Sequence, residues 1–163
     1  MEIKHHGAVN GVTGSCHELK VNDQAGILID CGLFQGAETS GKGASENNLE
    51  IDFPIEHIQA LVVTHVHIDH VGRIPYLLAA GFKGPIFCSE PTAALLPLVL
   101  EDALKVGFTR NKRLINRFIE DIKQKIIALP FGESYSVAAE LSVRLKPAGH
   151  ILGSAYVECK VGI

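Results

Sequence analysis

The residues best suited to chemistry in this chain stand close together: His65, His67, Asp69 and His70. Imidazole nitrogens and carboxylate oxygens are the usual ligands of zinc and related divalent cations. No packing requirement explains four such side chains at the end of a buried strand. The stretch opens with Leu61-Val62-Val63, an apolar β-branched run of the kind buried on both faces of a sheet. If the strand runs on to His65, side chains alternate, so His65 and His67 point the same way and can grip one ion. Asp69 and His70 follow at the turn into a helix whose pattern opens at Ile74, within reach of a second ion. A further histidine, His150, lies on a loop between Gly149 and Gly153. Glycines there permit close backbone approach, and a third histidine would complete a tetrahedral zinc site with one position open for water.

The elements that must position these groups can be read in outline. Residues 3–36 form strands and tight turns, with a hairpin whose turn is Asn22-Asp23-Gln24-Ala25-Gly26. The strand that follows ends at Asp30. Residues 36–50 are small and polar and form a surface loop. A short helix over Ile74 to Ala80 stops at Gly81, and Pro85 to Cys88 is another short buried strand. A helix starts around Ser89, Pro91 and Thr92, with Pro97 as a point of kinking. Leu114, Ile115, Phe118, Ile119, Ile122 and Ile126 recur at helical spacing through the basic stretch 110–125. Two alternating runs, 141–146 and 155–161, flank the His150 loop. The order of strands, strand–helix units and strands makes the chain α/β or α+β.

Composition narrows the class. The 163 residues are 47% hydrophobic and 20% charged with no tryptophan, enough for one globular domain whose core rests on aliphatic side chains. No apolar run approaches a membrane span, and the first residues lack the apolar core of a secretory signal. Cys16, Cys31, Cys88 and Cys159 are scattered without a C-x-x-C pair, which fits reduced thiols in a cytoplasmic protein; Cys16 and Cys31 read as small core residues. A net charge of -3 leaves room only for a local nucleic-acid surface. The candidate is Arg110, Lys112, Arg113 and Arg117, whose more ordinary reading is the solvated face of a helix. For His5, His6, His17 and His57 the sequence offers no partner.

The pattern His65-x-His67-x-Asp69-His70 resembles the HxHxDH signature of the metallo-β-lactamase superfamily. Gly-His-Ile-Leu-Gly-Ser-Ala (149–155), Val-Thr-Gly-Ser-Cys (12–16) and Asp-Cys-Gly-Leu-Phe-Gln-Gly (30–36) further resemble its β-CASP branch of RNA-processing and DNA-repair nucleases. The resemblance implies an αββα sandwich, present here as its amino-terminal half with a mixed sheet and flanking helices. It implies that His65, His67 and His150 hold a first zinc, that Asp69 and His70 bind a second, and that Asp30 supports the site without being a ligand. It also implies two-metal hydrolysis of phosphodiester bonds in single-stranded RNA, Asp69 orienting the attacking water and taking its proton.

In that family a bridging aspartate, a later histidine and the β-CASP domain follow the GHILGSA strand. Residues 1–163 are therefore expected to be an amino-terminal portion, with at most one strongly bound zinc and little activity alone. Two other functions stay open: a small-molecule hydrolase of thioesters or lactams, and a non-catalytic scaffold in an RNA-processing complex. Endo- or exonuclease action and oligomeric state are not legible, and manganese or iron suits the same ligands.

Overall fold

The computed structural model describes residues 1–35, 49–107 and 109–162. Six strands form one sheet in sequence order: β1 (Glu2–His5), β2 (His17–Asn22), β3 (Ala25–Ile29), β4 (Ile58–Val62), β5 (Ile86–Ser89) and β6 (Ile126–Leu129). The first three pair antiparallel, whereas β3 to β6 are parallel. The parallel part is sandwiched, which is why its strands are nearly unbroken apolar runs. Leu28 and Leu61 face one layer, and Ile27, Ala60 and Val62 face the other.

On the first face lie α1 (Ile68–Val71), α2 (Ile74–Ala79), α3 (Glu90–Gly107) and α4 (Lys112–Lys125). Ile74, Leu77, Leu96, Leu100 and Ile122 close this half of the core. On the second face packs an antiparallel sheet of β7 (Ser134–Ala138), β8 (Leu141–Pro147) and β9 (Ala155–Val161). Val143 and Leu145 alternate inward from β8 against Ile27 and Val62. The α/β class, mixed sheet and flanking helices are as expected. Among the described residues the layers are three: helices, the six-stranded sheet and the three-stranded sheet.

Several boundaries differ from the sequence reading. The strand expected to reach His65 ends at Val62, because the next amide due to extend the ladder, that of Thr64, turns to the Asp30 carboxylate at 2.8 Å. Ile126 continues the helical spacing but is the first residue of β6, where a β-branched run finds a strand partner in β5. Strand β7 and the single turn α1 are additions. The expected loop at 36–50 falls mainly on residues 36–48, outside the described residues. The histidines without evident partners have them: His5 and His17 meet through their Nδ1 atoms at 2.9 Å. Glu18 accepts from Nε2 of His6 at 2.7 Å and of His57 at 2.6 Å.

Candidate metal centre

The centre is built where β3 and β4 run out. Asp30 adopts φ 61, a left-handed conformation that aspartate tolerates better than most residues. Its own amide still bonds to Val62 O at 2.9 Å. Its carboxylate, 2% exposed, gathers four donors. Oδ1 accepts the Thr64 amide at 2.8 Å. Oδ2 accepts the Thr64 hydroxyl at 2.8 Å, the Ser15 hydroxyl at 3.1 Å and Nδ1 of His70 at 2.7 Å.

The turn carrying Asp69 and His70 is pinned through its backbone. Asp69 O accepts from Ser15 N, His70 O from Cys31 N, and Ile68 O from Leu33 N, at 2.8–3.0 Å. Gly32 makes this approach possible, since a Cβ there would collide with the Asp69 carbonyl. Buried Arg73 donates from Nε to Gly32 O at 2.8 Å and ties the same segment from the helix side.

His150 arrives from the other sheet. Its loop is closed by Ser154, whose hydroxyl accepts the amides of His150 and Ile151 at 3.0 and 3.1 Å. Gly153, at φ 80, turns its carbonyl onto the hydroxyls of Ser89 at 2.6 Å and Thr92 at 3.2 Å. Ala155 N then donates to Thr64 O at 2.9 Å, docking the start of β9 beside the end of β4.

This framework brings His65, His67 and His150 together, each offering a ligand-type atom within 4.8 Å of the others. His150 Nε2 lies 3.1 Å from His67 Nδ1. His65 is buried, and its Nε2 has no hydrogen-bond partner. A buried lone nitrogen beside two converging imidazoles is poorly satisfied by protein groups and well suited to a divalent cation. His70 stacks obliquely on His65, ring centroids 4.0 Å apart, and its Nε2 lies 3.6 Å from Asp69 Oδ2. The two residues expected at a second ion thus flank the trio.

Burial, followed by the charge of His70 and of the other two histidines, pushes His65 down to about 4. It therefore presents a neutral ring at physiological pH, the form that binds metals. Burial also works against the charged form of His70. The Asp30 hydrogen bond and the charges of Asp30 and Asp69 outweigh it and raise that pKa above the ordinary histidine value.

Asp30, Thr64, His65, His70 and His150 line a cavity of about 360 Å³, with His17 and Tyr156 on its wall. A larger apolar groove of about 470 Å³ lies between α2, α3 and α4 and carries none of the histidines. The basic residues Arg110, Lys112, Arg113 and Arg117 are exposed at the start of α4, and none lines the histidine cavity. The sequence reading gave no role to Thr64 or Ser15, although Thr64 precedes His65 and Ser15 stands in the Val-Thr-Gly-Ser-Cys motif at 12–16.

The metallo-β-lactamase superfamily model matches residues 9–160. The chain is 37% identical to a ribonuclease of Thermus thermophilus, TTHA0252, over 96% of its own length and 34% of the relative's. It is 33% identical to the transcription termination factor FttA of Cenarchaeum symbiosum, covering 96% of this chain and 24% of that one. It is 32% identical to the cleavage and polyadenylation specificity factor subunit 3-II of Arabidopsis thaliana, covering 96% and 26%. The chain thus spans about a third or less of these relatives. Among solved structures, zinc-bound PqqB of Methylobacterium extorquens shares the fold with a TM-score of 0.56 at 13% identity, over 92% of this chain and 50% of that one. The RNA-processing branch that the motifs resemble is thus represented among its relatives, and the chain belongs to the metallo-β-lactamase superfamily.

Proposed function

We propose that this chain is the metal-binding part of a zinc-dependent ribonuclease that hydrolyses phosphodiester bonds of single-stranded RNA. The observation that carries the reading is the convergence of His65, His67 and His150 from two sheets around a buried, unpartnered Nε2. The relative named a ribonuclease supports RNA as the substrate class, and those named termination factor and cleavage factor subunit accord with it. Bound there, zinc would polarise a phosphoryl oxygen and lower the pKa of a water to about 7.

In this reading His65, His67 and His150 hold one ion, and Asp69 and His70 contribute to a second in the whole protein. Asp69 orients the attacking water and takes its proton on a carboxylate oxygen, while Asp30 keeps His70 turned to the site through Nδ1. Arg110, Lys112, Arg113 and Arg117 have no carboxylate partner among the described residues, and we assign them to phosphate contacts outside the cavity. Such contacts would weaken steeply with salt. No helix among the described residues is long and apolar enough to cross a membrane, and the four cysteines are free thiols; both accord with a cytoplasmic setting.

The activity is proposed for the whole protein, because the chain spans only 34%, 24% and 26% of the relatives quoted. The test is cleavage of single-stranded RNA by that protein with and without a chelator, beside a thioester and a β-lactam. The expected result is metal-dependent RNA cleavage, abolished by His67→Ala. Turnover of the thioester or lactam but not RNA would favour a small-molecule hydrolase. No turnover of any of the three would favour a scaffold.

A further inference from the structure

We infer that Thr64 is a positioning residue: its hydroxyl sets the tautomer of His65, so that the Nε2 lone pair faces the histidine cluster. The inference rests on the metal-binding reading of that cluster and assigns a role to a side chain outside it. As a carboxylate, Asp30 can only accept, so at 2.8 Å the Thr64 hydroxyl spends its single proton on Oδ2. The Thr64 oxygen then presents lone pairs to His65 Nδ1, 3.0 Å away. His65 can complete that contact only as an N–H donor, and a neutral imidazole with its proton on Nδ1 carries its lone pair on Nε2.

The opposite tautomer fails at both ends of the ring. It sets the Nδ1 lone pair against an oxygen lone pair, and it buries an Nε2–H where no acceptor is found. Rotating the Thr64 hydroxyl toward Nδ1 would exchange a charged acceptor for a neutral one, which is the weaker bond. The hydroxyl also has little freedom to move. The Thr64 amide is bonded to Asp30 Oδ1 at 2.8 Å, and its carbonyl accepts Ala155 N at 2.9 Å. A β-branched side chain between two such anchors is stiff at χ1. One carboxylate therefore orients His70 directly and His65 through a hydroxyl. The second bond of His65, unlike that of His70, depends on a side chain that can be deleted without disturbing the charge.

The test is 15N NMR of the imidazoles in the metal-free chain at neutral pH, with zinc affinity measured by chelator competition. Wild type and Thr64→Ser should show His65 as a single Nδ1–H tautomer with similar affinity. Thr64→Val keeps the shape and loses the hydroxyl; it should show mixed tautomers and bind zinc about 10–100-fold more weakly. Should Thr64→Val not fold, Thr64→Ala is put through the same two measurements. An Nε2–H tautomer in wild type, or a hydroxyl-less variant that keeps both the tautomer and the affinity, would overturn the inference. A wild-type chain with the Nδ1–H tautomer that takes up no zinc would sink the metal reading instead, so the two failures are told apart.

Discussion

Glu18 holds a buried negative charge between two rings. It is 2% exposed, with Nε2 of His6 on one oxygen and of His57 on the other, and His6 in turn stacks on Phe53 at 3.6 Å. Burial alone would raise its pKa. The hydrogen bonds from His57 and His6, aided by their charges, outweigh it and hold the carboxyl below its ordinary 4.5. A carboxylate with a depressed pKa stabilises the fold above its unfolded-state value, and that contribution is lost as pH falls through the lower folded-state value. Glu18→Gln offers one acceptor where two are needed, so it should cost about 1.5–3 kcal/mol at pH 7. Urea denaturation should show the gap to wild type closing as the pH drops below about 4.5; a gap constant with pH would mean that packing and not charge is at stake. This cluster was not legible in the sequence. His-Glu-Leu-Lys-Val-Asn alternates like a half-exposed strand, and the partners of Glu18 are 12 and 39 positions away. His65, His67 and His150 were legible because the chemistry resides in the residue type itself. Of the two glycines beside His150, Gly153 does make a close approach, to Thr92 and Ser89, whereas Gly149 has open space around its Cβ position.

At the scale of elements, the junction between the segment after β3 and the turn α1 is the least tolerant place in the chain. Gly32 sits against the backbone of Asp69 and His70, where no side chain can rotate away to make room. Gly32→Ala should therefore cost at least about 3 kcal/mol and lower metal uptake with it, because the displaced turn is bonded to His67, whose carbonyl accepts the amides of His70 and Val71. Gly81 makes the useful contrast. It has φ 104 but open space around its Cβ position, so Gly81→Ala should cost only about 1–2 kcal/mol of left-handed strain and spare metal uptake. Equal losses in the two variants, read by denaturation and by zinc content, would show that the close approach is not what matters. Element identity was legible wherever a period was strong. Ile115, Ile119 and Ile122 form the buried stripe of α4, and Asn111 caps it by accepting the amides of Arg113 and Leu114. Ends were less legible, since Val62 and Ile126 change partner for reasons that lie in another element.

At the scale of the whole molecule, the histidine trio joins the two sheets. His65 and His67 follow β4 of the six-stranded sheet, and His150 precedes β9 of the three-stranded one. Their order along the chain gave no hint of this, because 83 positions separate His67 from His150; ligand chemistry and the motif resemblance grouped them in advance, without showing that two sheets would supply them. Without a metal, the docking rests on the Val143 and Leu145 face, the Ala155–Thr64 backbone bond and the Gly153 carbonyl on Ser89 and Thr92. A metal shared by the trio adds a bond between layers that the unfolded chain does not have, so binding must appear as stability. At a free concentration one hundred times the Kd the gain is about 2.7 kcal/mol. For a domain of this size that should raise Tm by about 5–10 °C. His150→Ala removes the only member of the trio on the second sheet and should erase most of the shift, while the metal-free Tm changes little because His150 is exposed. If His150→Ala instead kept the full shift, the ion would be held within the His65–His70 segment, and the two sheets would be joined by packing alone.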